Sequence, residues 1–437
     1  MRLIIDNLAK IGHADILIDG LTVIAGENNT GKSTVGKVLY SVFNSMYNMD
    51  EKIETEKREE IERACRNILR TLRIQGKLPG SQAVVSISRK LGVAIYEHLS
   101  SYEANELTYD LLGEIFCDEF NQYGIELYES LQREDFSETF SKIMERQRGD
   151  DHKASLELIS RFFRSVFASQ IASLNNVDEN PKVRLRIKDQ DLVLRFENNE
   201  CVALESEFNI LHEAFFIDDP FIVDDASHAY FPGIMSEEKI RDRLKERLQR
   251  PGNTLTEGIF DAVVAKEGLR EIFAILNEVA GGDIITKNGD WRLRSEKLTD
   301  SLLLDNLSAG VKSFLIVRML LESGNLREKD VLILDEPEIH LHPDWQLKYA
   351  EIIVLLQKQF DLSIVVTTHS RDFLEAIELY SRKYKIEEKC NYYRSSEKNG
   401  AVSFENVTGN LEKIYAQMVT ASMLLDRLRY GMEEEDE

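Results

Sequence analysis

Residues Leu21-Thr22-Val23-Ile24-Ala25-Gly26-Glu27-Asn28-Asn29-Thr30-Gly31-Lys32-Ser33-Thr34 set a short apolar run directly against a polar loop bracketed by glycines. Val35, Val38, Leu39, Val42 and Phe43 then recur at three- and four-residue spacing, which predicts a helix over Val35–Asn48. Strand, glycine loop and helix in that order give Gly26-x-x-x-x-Gly31-Lys32-Ser33 the context a P-loop needs. In such a loop the backbone N–H groups converge on phosphate oxygens, and the helix N-terminus adds partial positive charge. Gly26, Asn28, Asn29, Thr30 and Gly31 are therefore the expected cradle, Lys32 the cation reaching the β- and γ-phosphates, and Ser33 a ligand of Mg²⁺. Thr34 is expected to support the loop or touch the α-phosphate.

Two further segments complete a nucleotide-handling edge. Val331-Leu332-Ile333-Leu334 is apolar throughout, as a strand buried on both faces must be, and it ends in Asp335-Glu336. Asp335 is expected to hold the magnesium shell and Glu336 to polarise the attacking water. Ile364-Val365-Val366-Thr367-Thr368 ends in His369-Ser370, so an imidazole belongs at the same edge, where it could sense or stabilise the γ-phosphate.

Asn306-Leu307-Ser308-Ala309-Gly310-Val311-Lys312 opens a helix running to Ser323, placing a serine and a glycine amide at a second helix N-terminus. With this third element the chain resembles the ABC-type ATPases of the SMC, RecF and OLD group, especially the bacterial AAA-family ATPases with an ABC-like head found in phage-defence systems. Leu307-Ser308-x-Gly310-x-Lys312 resembles their signature motif, Glu336-Pro337-Glu338-Ile339-His340-Leu341-His342-Pro343 their extended Walker B and D-loop, and Thr368-His369-Ser370 their switch histidine. The resemblance covers residues 1–48 and 300–385. It implies ATP and Mg²⁺ as cofactors, and a homodimer or higher homo-oligomer in which Ser308 and Gly310 of one subunit cover the γ-phosphate held by the other's P-loop. Ala309 and Val311 depart from the Gly and Gln of the transporter signature. The candidates for a Q-loop glutamine are Gln75 and Gln82, and Ile11 and His13 lie near the place of an adenine-stacking aromatic.

Outside these motifs the sequence predicts an α/β chain: an ABC-like P-loop NTPase head on a mixed or parallel sheet, plus an inserted helical lobe. The expected divisions are 1–48 and 300–410 for the discontinuous head and 49–180 for the helical lobe. Residues 181–299 should supply a small β-sheet and helices completing the head, and 411–437 a C-terminal helix and acidic tail. Repeated glycines, Gly76, Gly80, Gly92, Gly113 and Gly124, argue for a compact lobe over a long coiled coil, which needs sustained heptads.

Composition limits the partners. The 437 residues carry 54 Lys and Arg against 77 Asp and Glu, a formal charge of −23 that weighs against a protein built to coat nucleic acid. Local basic stretches at Lys182–Lys188 and Arg241–Arg250 keep a nucleic-acid partner open, and with it a RecF- or SMC-type repair or chromosome ATPase that binds DNA directly. The favoured expectation is an ATPase that regulates a separate protein effector, a nuclease or toxin, in anti-phage defence; the resemblance alone implies it. No apolar run approaches the roughly 18 residues of a membrane span, and the N-terminus reads as a strand rather than a signal peptide, so no membrane association and a cytoplasmic location are expected. The four cysteines are far apart and suggest neither disulfides nor zinc. His340 and His342 read better as D-loop residues than as metal ligands. Asp218-Asp219 and Asp224-Asp225 read better as turn and cap residues than as a nuclease centre.

Overall fold

The computed structural model describes residues 1–74, 81–103, 105–125, 127, 137–174, 179–227, 239–249, 269–287, 290–295, 299–398 and 400–418. Two compact units result, Met1–Tyr47 with Ile159–Glu437, and Asn48–Leu158.

The first unit is organised by one mixed sheet. Its strands are β1 (Arg2–Leu8), β2 (Ile11–Leu17), β3 (Leu21–Ala25), β4 (Lys182–Ile187), β5 (Gln190–Glu197), β6 (Glu200–Ser206) and β7 (Ala214–Ile217). Beyond a three-stranded sheet of β8 (Asp283–Lys287), β9 (Asp290–Arg294) and β10 (Leu302–Leu303) come β11 (Val331–Asp335), β12 (Ser363–Thr368), β13 (Cys390–Lys398) and β14 (Ala401–Asn406). The eleven-stranded order is β6-β5-β4-β1-β2-β14-β13-β3-β12-β11-β7. Strands β13, β3, β12, β11 and β7 all run parallel, each paired with the next. Residues of β3 and β7 are buried throughout, as are Val331–Leu334 of β11 and Ile364–Thr368 of β12. Their largely apolar sequences, interrupted by Thr22, Thr367 and Thr368, reflect cover on both faces.

Parallel register aligns the carboxyl ends of these strands. Asp335 pairs with Thr367 across β11 and β12, Thr368 with Ala25 across β12 and β3, and Arg394 with Ala25 across β13 and β3. Ser395, Gly26, His369, Glu336 and Asp218 therefore emerge side by side along one edge, the place where open α/β sheets bind ligands.

Strands β4 to β6, from the region expected to supply a small β-sheet completing the head, extend the main sheet. Strand β4 pairs antiparallel with β1, with Arg2 opposite Arg186 and Leu3 opposite Leu185. Leu3, Ile5, Val183 and Leu185 are fully buried, so the alternation visible in each strand comes from a shared core face. Strands β8 and β9 pair antiparallel, with Thr286 opposite Trp291 and Lys287 opposite Asp290; the Asn288-Gly289 between them lies outside the described residues.

The second unit holds the helices Met49–Ile74, Ser81–Leu99, Tyr109–Gln122 and Ser137–Gln147, around a core that includes Ile61, Cys65, Ile68, Leu91, Ile95, Phe116 and Phe120. The helix Tyr109–Gln122 stops where Gly124 follows with φ 71°, a left-handed conformation that ends helices. The helix Asp151–Val166 ends before Ala172, which bridges to Leu8 of β1. The C-terminal helix expected within 411–437 is described over Glu412–Met418; residues 419–437, the acidic tail included, lie outside the described residues.

Candidate nucleotide site

The P-loop helix, Lys32–Met46, begins at Gly31, whose φ of 71° is left-handed, and no side chain caps it. The first N–H groups of any helix lack partners within the helix, so an uncapped start is a ready anion site. Behind the loop, Ser395 of β13 is fully buried; its hydroxyl lies 2.6 Å from that of Thr30, which donates to Glu27 O at 2.7 Å. A Cβ on Gly26 would collide with Ser395, so only glycine lets the loop lie against this strand. Lys10, in the β1–β2 turn, donates to Asn29 Oδ1 at 2.8 Å. Ser33 and Thr34 lie half-buried in the first turn of the helix.

Lys32 is 3 % exposed. Its Nζ donates to Gly26 O at 3.0 Å and Glu27 O at 2.8 Å, and lies 3.5 Å from Glu336 Oε1. Glu336 follows the last residue of β11 with φ 49°, uncommon for a non-glycine residue, and its N–H points at Thr367 O (3.1 Å) and Thr367 Oγ1 (3.0 Å). Strained backbone of this kind is held by its surroundings, here the neighbouring strand β12. Thr367 Oγ1 also donates to Asp335 Oδ1 at 2.6 Å. His369 Nδ1 lies 3.6 Å from Glu336 Oε1. Lys32, Asp335, Glu336 and His369, from distant parts of the sequence, are thus drawn into one cluster.

Ser308 and Gly310 occupy a different setting. Ser308, exposed, caps the helix Ala309–Glu322 by accepting from Val311 N at 3.5 Å. A Cβ on Gly310 would approach His340 O to 3.0 Å and the Trp345 ring to 3.2 Å. Lys312 is almost wholly buried; its Nζ lies 2.6 Å from Asp224 Oδ1, donates to Asp305 O, and sits 5.1 Å from the Phe221 ring centre. Among the described residues, no hydrogen bond or ion pair joins Ser308 or Gly310 to the Lys32 cluster.

Of the other candidates, Ile11 is fully buried and would be 3.6 Å from a Cβ on Gly31, while His13 pairs with Asp6 at 2.6 Å. Gln75 lies outside the described residues, and Gln82 lies on a helix of the second unit. His340 packs edge-on against Phe221, and His342 caps the helix Pro343–Phe360. The four acids near Phe221 part company. Asp219 and Asp225 both pair with Arg241, Asp224 pairs with Lys312, and Asp218 lies near Asp335.

Asp218 went unrecognised in the sequence as a neighbour of the magnesium-binding candidates. Burial and the charge of Asp335 push its carboxyl above the usual range, a crowding that a cation would relieve. Carboxylate and hydroxyl oxygens of Asp335 and Ser33 are hard donors of the kind Mg²⁺ takes, so the residues present fit that ion. Ser395 was missed as well, although Asn399-Gly400 between two strand-like runs is a hairpin signal that would have revealed β13 and β14.

A family model described as the AAA ATPase domain matches residues 1–374. The chain belongs to the AAA ATPase domain family. The match ends before β13, so the strand beneath the P-loop lies beyond the matched region. Similar solved structures include an SMC head domain bound to the C-winged helix domain of ScpA, with 11 % identity over 93 % of this chain and 96 % of that one and a TM-score of 0.41. The SMC head domain from Thermotoga maritima has 11 % identity over 93 % and 98 %, with a TM-score of 0.37. An Smc head domain with an extended coiled coil, bound to the C-terminal domain of ScpA derived from Pyrococcus furiosus, has 11 % identity over 98 % of both chains and a TM-score of 0.40. Among the described residues, no helix is long and apolar enough to cross a membrane.

Proposed function

We propose that the chain binds and hydrolyses ATP with an ABC-like site, assembles around the nucleotide as a homodimer or higher homo-oligomer, and regulates a protein effector in anti-phage defence. The observation that carries the hydrolytic part is the meeting of Lys32, Glu336 and His369 through contacts of 3.5 and 3.6 Å at adjacent strand ends. The loop amides and Lys32 would hold the phosphates, with Gly26, Asn28, Asn29, Thr30, Gly31 and Thr34 shaping the cradle. Glu336 would take the proton of the attacking water, and His369 beside it would orient that carboxylate and the γ-phosphate. Mg²⁺, held by Ser33 and Asp335, would supply positive charge to the phosphoryl oxygens.

Assembly is supported by what surrounds the second helix start. Ser308 is exposed, and Phe221 and Ile339, 44 % and 54 % exposed, are apolar side chains of the same segments that touch Lys312 and Gly310. A phosphate presented by another subunit would meet the Ser308 hydroxyl and the first amides of this helix. The effector, a nuclease or toxin, and the defence setting rest on the family resemblance. Direct DNA binding gains less support, because Arg186 pairs with Asp191 at 2.7 Å and Arg241 with Asp219 and Asp225.

Glu336→Gln tests the hydrolytic reading. The variant should bind ATP and Mg²⁺ as wild type does while turnover falls by about 10²–10⁴-fold, the range for losing a general base, and it should accumulate as an ATP-bound assembly by light scattering. Turnover within a few-fold of wild type would move the catalytic carboxylate elsewhere.

A further inference from the structure

We propose that Glu338 is the positioning residue for His369, holding the imidazole against Glu336; this inference rests on the hydrolytic reading above. Glu338 comes two residues after Glu336, beyond Pro337, and its side chain is only 2 % exposed. Its Oε1 accepts from Thr368 Oγ1 at 2.5 Å and from the backbone N–H of His369 at 3.1 Å. The same oxygen lies 3.7 Å from His369 Nδ1, against 3.6 Å for Glu336 Oε1. One imidazole nitrogen is therefore flanked by two carboxylates of one turn, and the buried one also grips the histidine's backbone.

The arrangement is costly, which argues that it serves the histidine. Burying a carboxylate is unfavourable unless it is paired and fully hydrogen-bonded, yet Glu338 Oε2 is buried with no hydrogen-bond partner among the described residues. Burial accordingly pushes this carboxyl above its ordinary range. A turn that needed only closing could use a neutral side chain accepting the same two bonds. What a carboxylate adds is its charge towards the imidazole.

A second tie holds the next residue. Gln346 donates through Nε2 to Leu341 O at 3.2 Å, while its Oε1 accepts from Ser370 Oγ at 3.1 Å. His369 is thus held at its own N–H by Glu338 and at Ser370 by the helix that follows the same turn. The imidazole, 41 % exposed, would otherwise be free to change rotamer, and small misplacements of a reacting group are expensive in rate.

The test is steady-state ATPase kinetics of the full chain with Glu338→Gln, His369→Ala and the double variant, with thermal unfolding followed in parallel. Glu338→Gln should lower kcat about 10-fold with KM within about two-fold, and should have almost no further effect once His369 is Ala, because residues acting through one another are not additive. Should Glu338→Gln fail to fold, Thr368→Val, which removes the hydroxyl donor to Glu338, takes its place with the same expectation. An unchanged kcat in Glu338→Gln, or an equal loss in both backgrounds, overturns the proposal while leaving the hydrolytic reading intact if His369→Ala is slow. If wild type does not turn over ATP, or His369→Ala is as fast as wild type, both fall.

Discussion

Two helices of the head begin with a glycine and a lysine in close succession, and they are built oppositely. At the P-loop helix, no side chain caps the first turn, and Lys32 Nζ is gathered by the carbonyls of Gly26 and Glu27 at the carboxyl edge of the sheet. At the helix Ala309–Glu322, Ser308 supplies its own cap and Lys312 is neutralised by Asp224. The first is organised around a cation directed at the loop. The second has already committed its cation to the fold and leaves only an exposed hydroxyl and backbone amides to offer a ligand. Similar local sequence thus yields a primary anion site in one place and, in the other, a surface that would complete a site held elsewhere.

The same substitution made at both lysines should expose this difference. Lys32→Ala is expected to abolish measurable binding of a labelled ATP analogue, because the phosphates lose the ammonium that the carbonyls of Gly26 and Glu27 hold in the loop. Lys312→Ala should do the reverse, keeping nucleotide affinity while losing about 2–3 kcal/mol of stability in chemical denaturation. That is less than for a fully buried pair, because the Asp224 side chain is 30 % exposed. Equal loss of nucleotide binding in both variants would erase the contrast.

The smallest expected effect is at the cap. Ser308→Ala should cost about 0.5 kcal/mol, the lower end for an N-cap, because the bond from Val311 N is long at 3.5 Å. Its ATPase rate should drop more than that stability change alone explains; if stability falls while the rate is unaffected, Ser308 is a cap and nothing else.

The parallel half of the sheet was legible because β3, β11 and β12 carry compact, largely apolar runs that lead into glycine, acid or histidine. Strand β13 was not, since Cys390-Asn391-Tyr392-Tyr393-Arg394-Ser395-Ser396 has no clean alternation: Asn391, Tyr392, Tyr393 and Ser395 are all buried between β3 and β14. Lys32, Asp335, Glu336 and His369 could be read from position alone, as residues at strand or loop ends. The burial of Glu338 could not, because it depends on where Thr368 and His369 of a distant segment come to rest. Asp218 was visible only as one of four acids until pairing of β7 with β11 put it near Asp335.

The claim that the second helix start completes a site on another subunit is tested most directly by mixing two inactive chains. Ser308→Arg should bind ATP yet fail to hydrolyse it, because a bulky cation would obstruct the facing nucleotide; Lys32→Ala should fail to bind. Combined across a range of ratios, with mixed assemblies confirmed by native mass measurement, the two should regain ATPase activity from sites that pair the intact P-loop of one chain with the intact Ser308 of the other. No recovery at any ratio, with mixed assemblies present, would contradict the account.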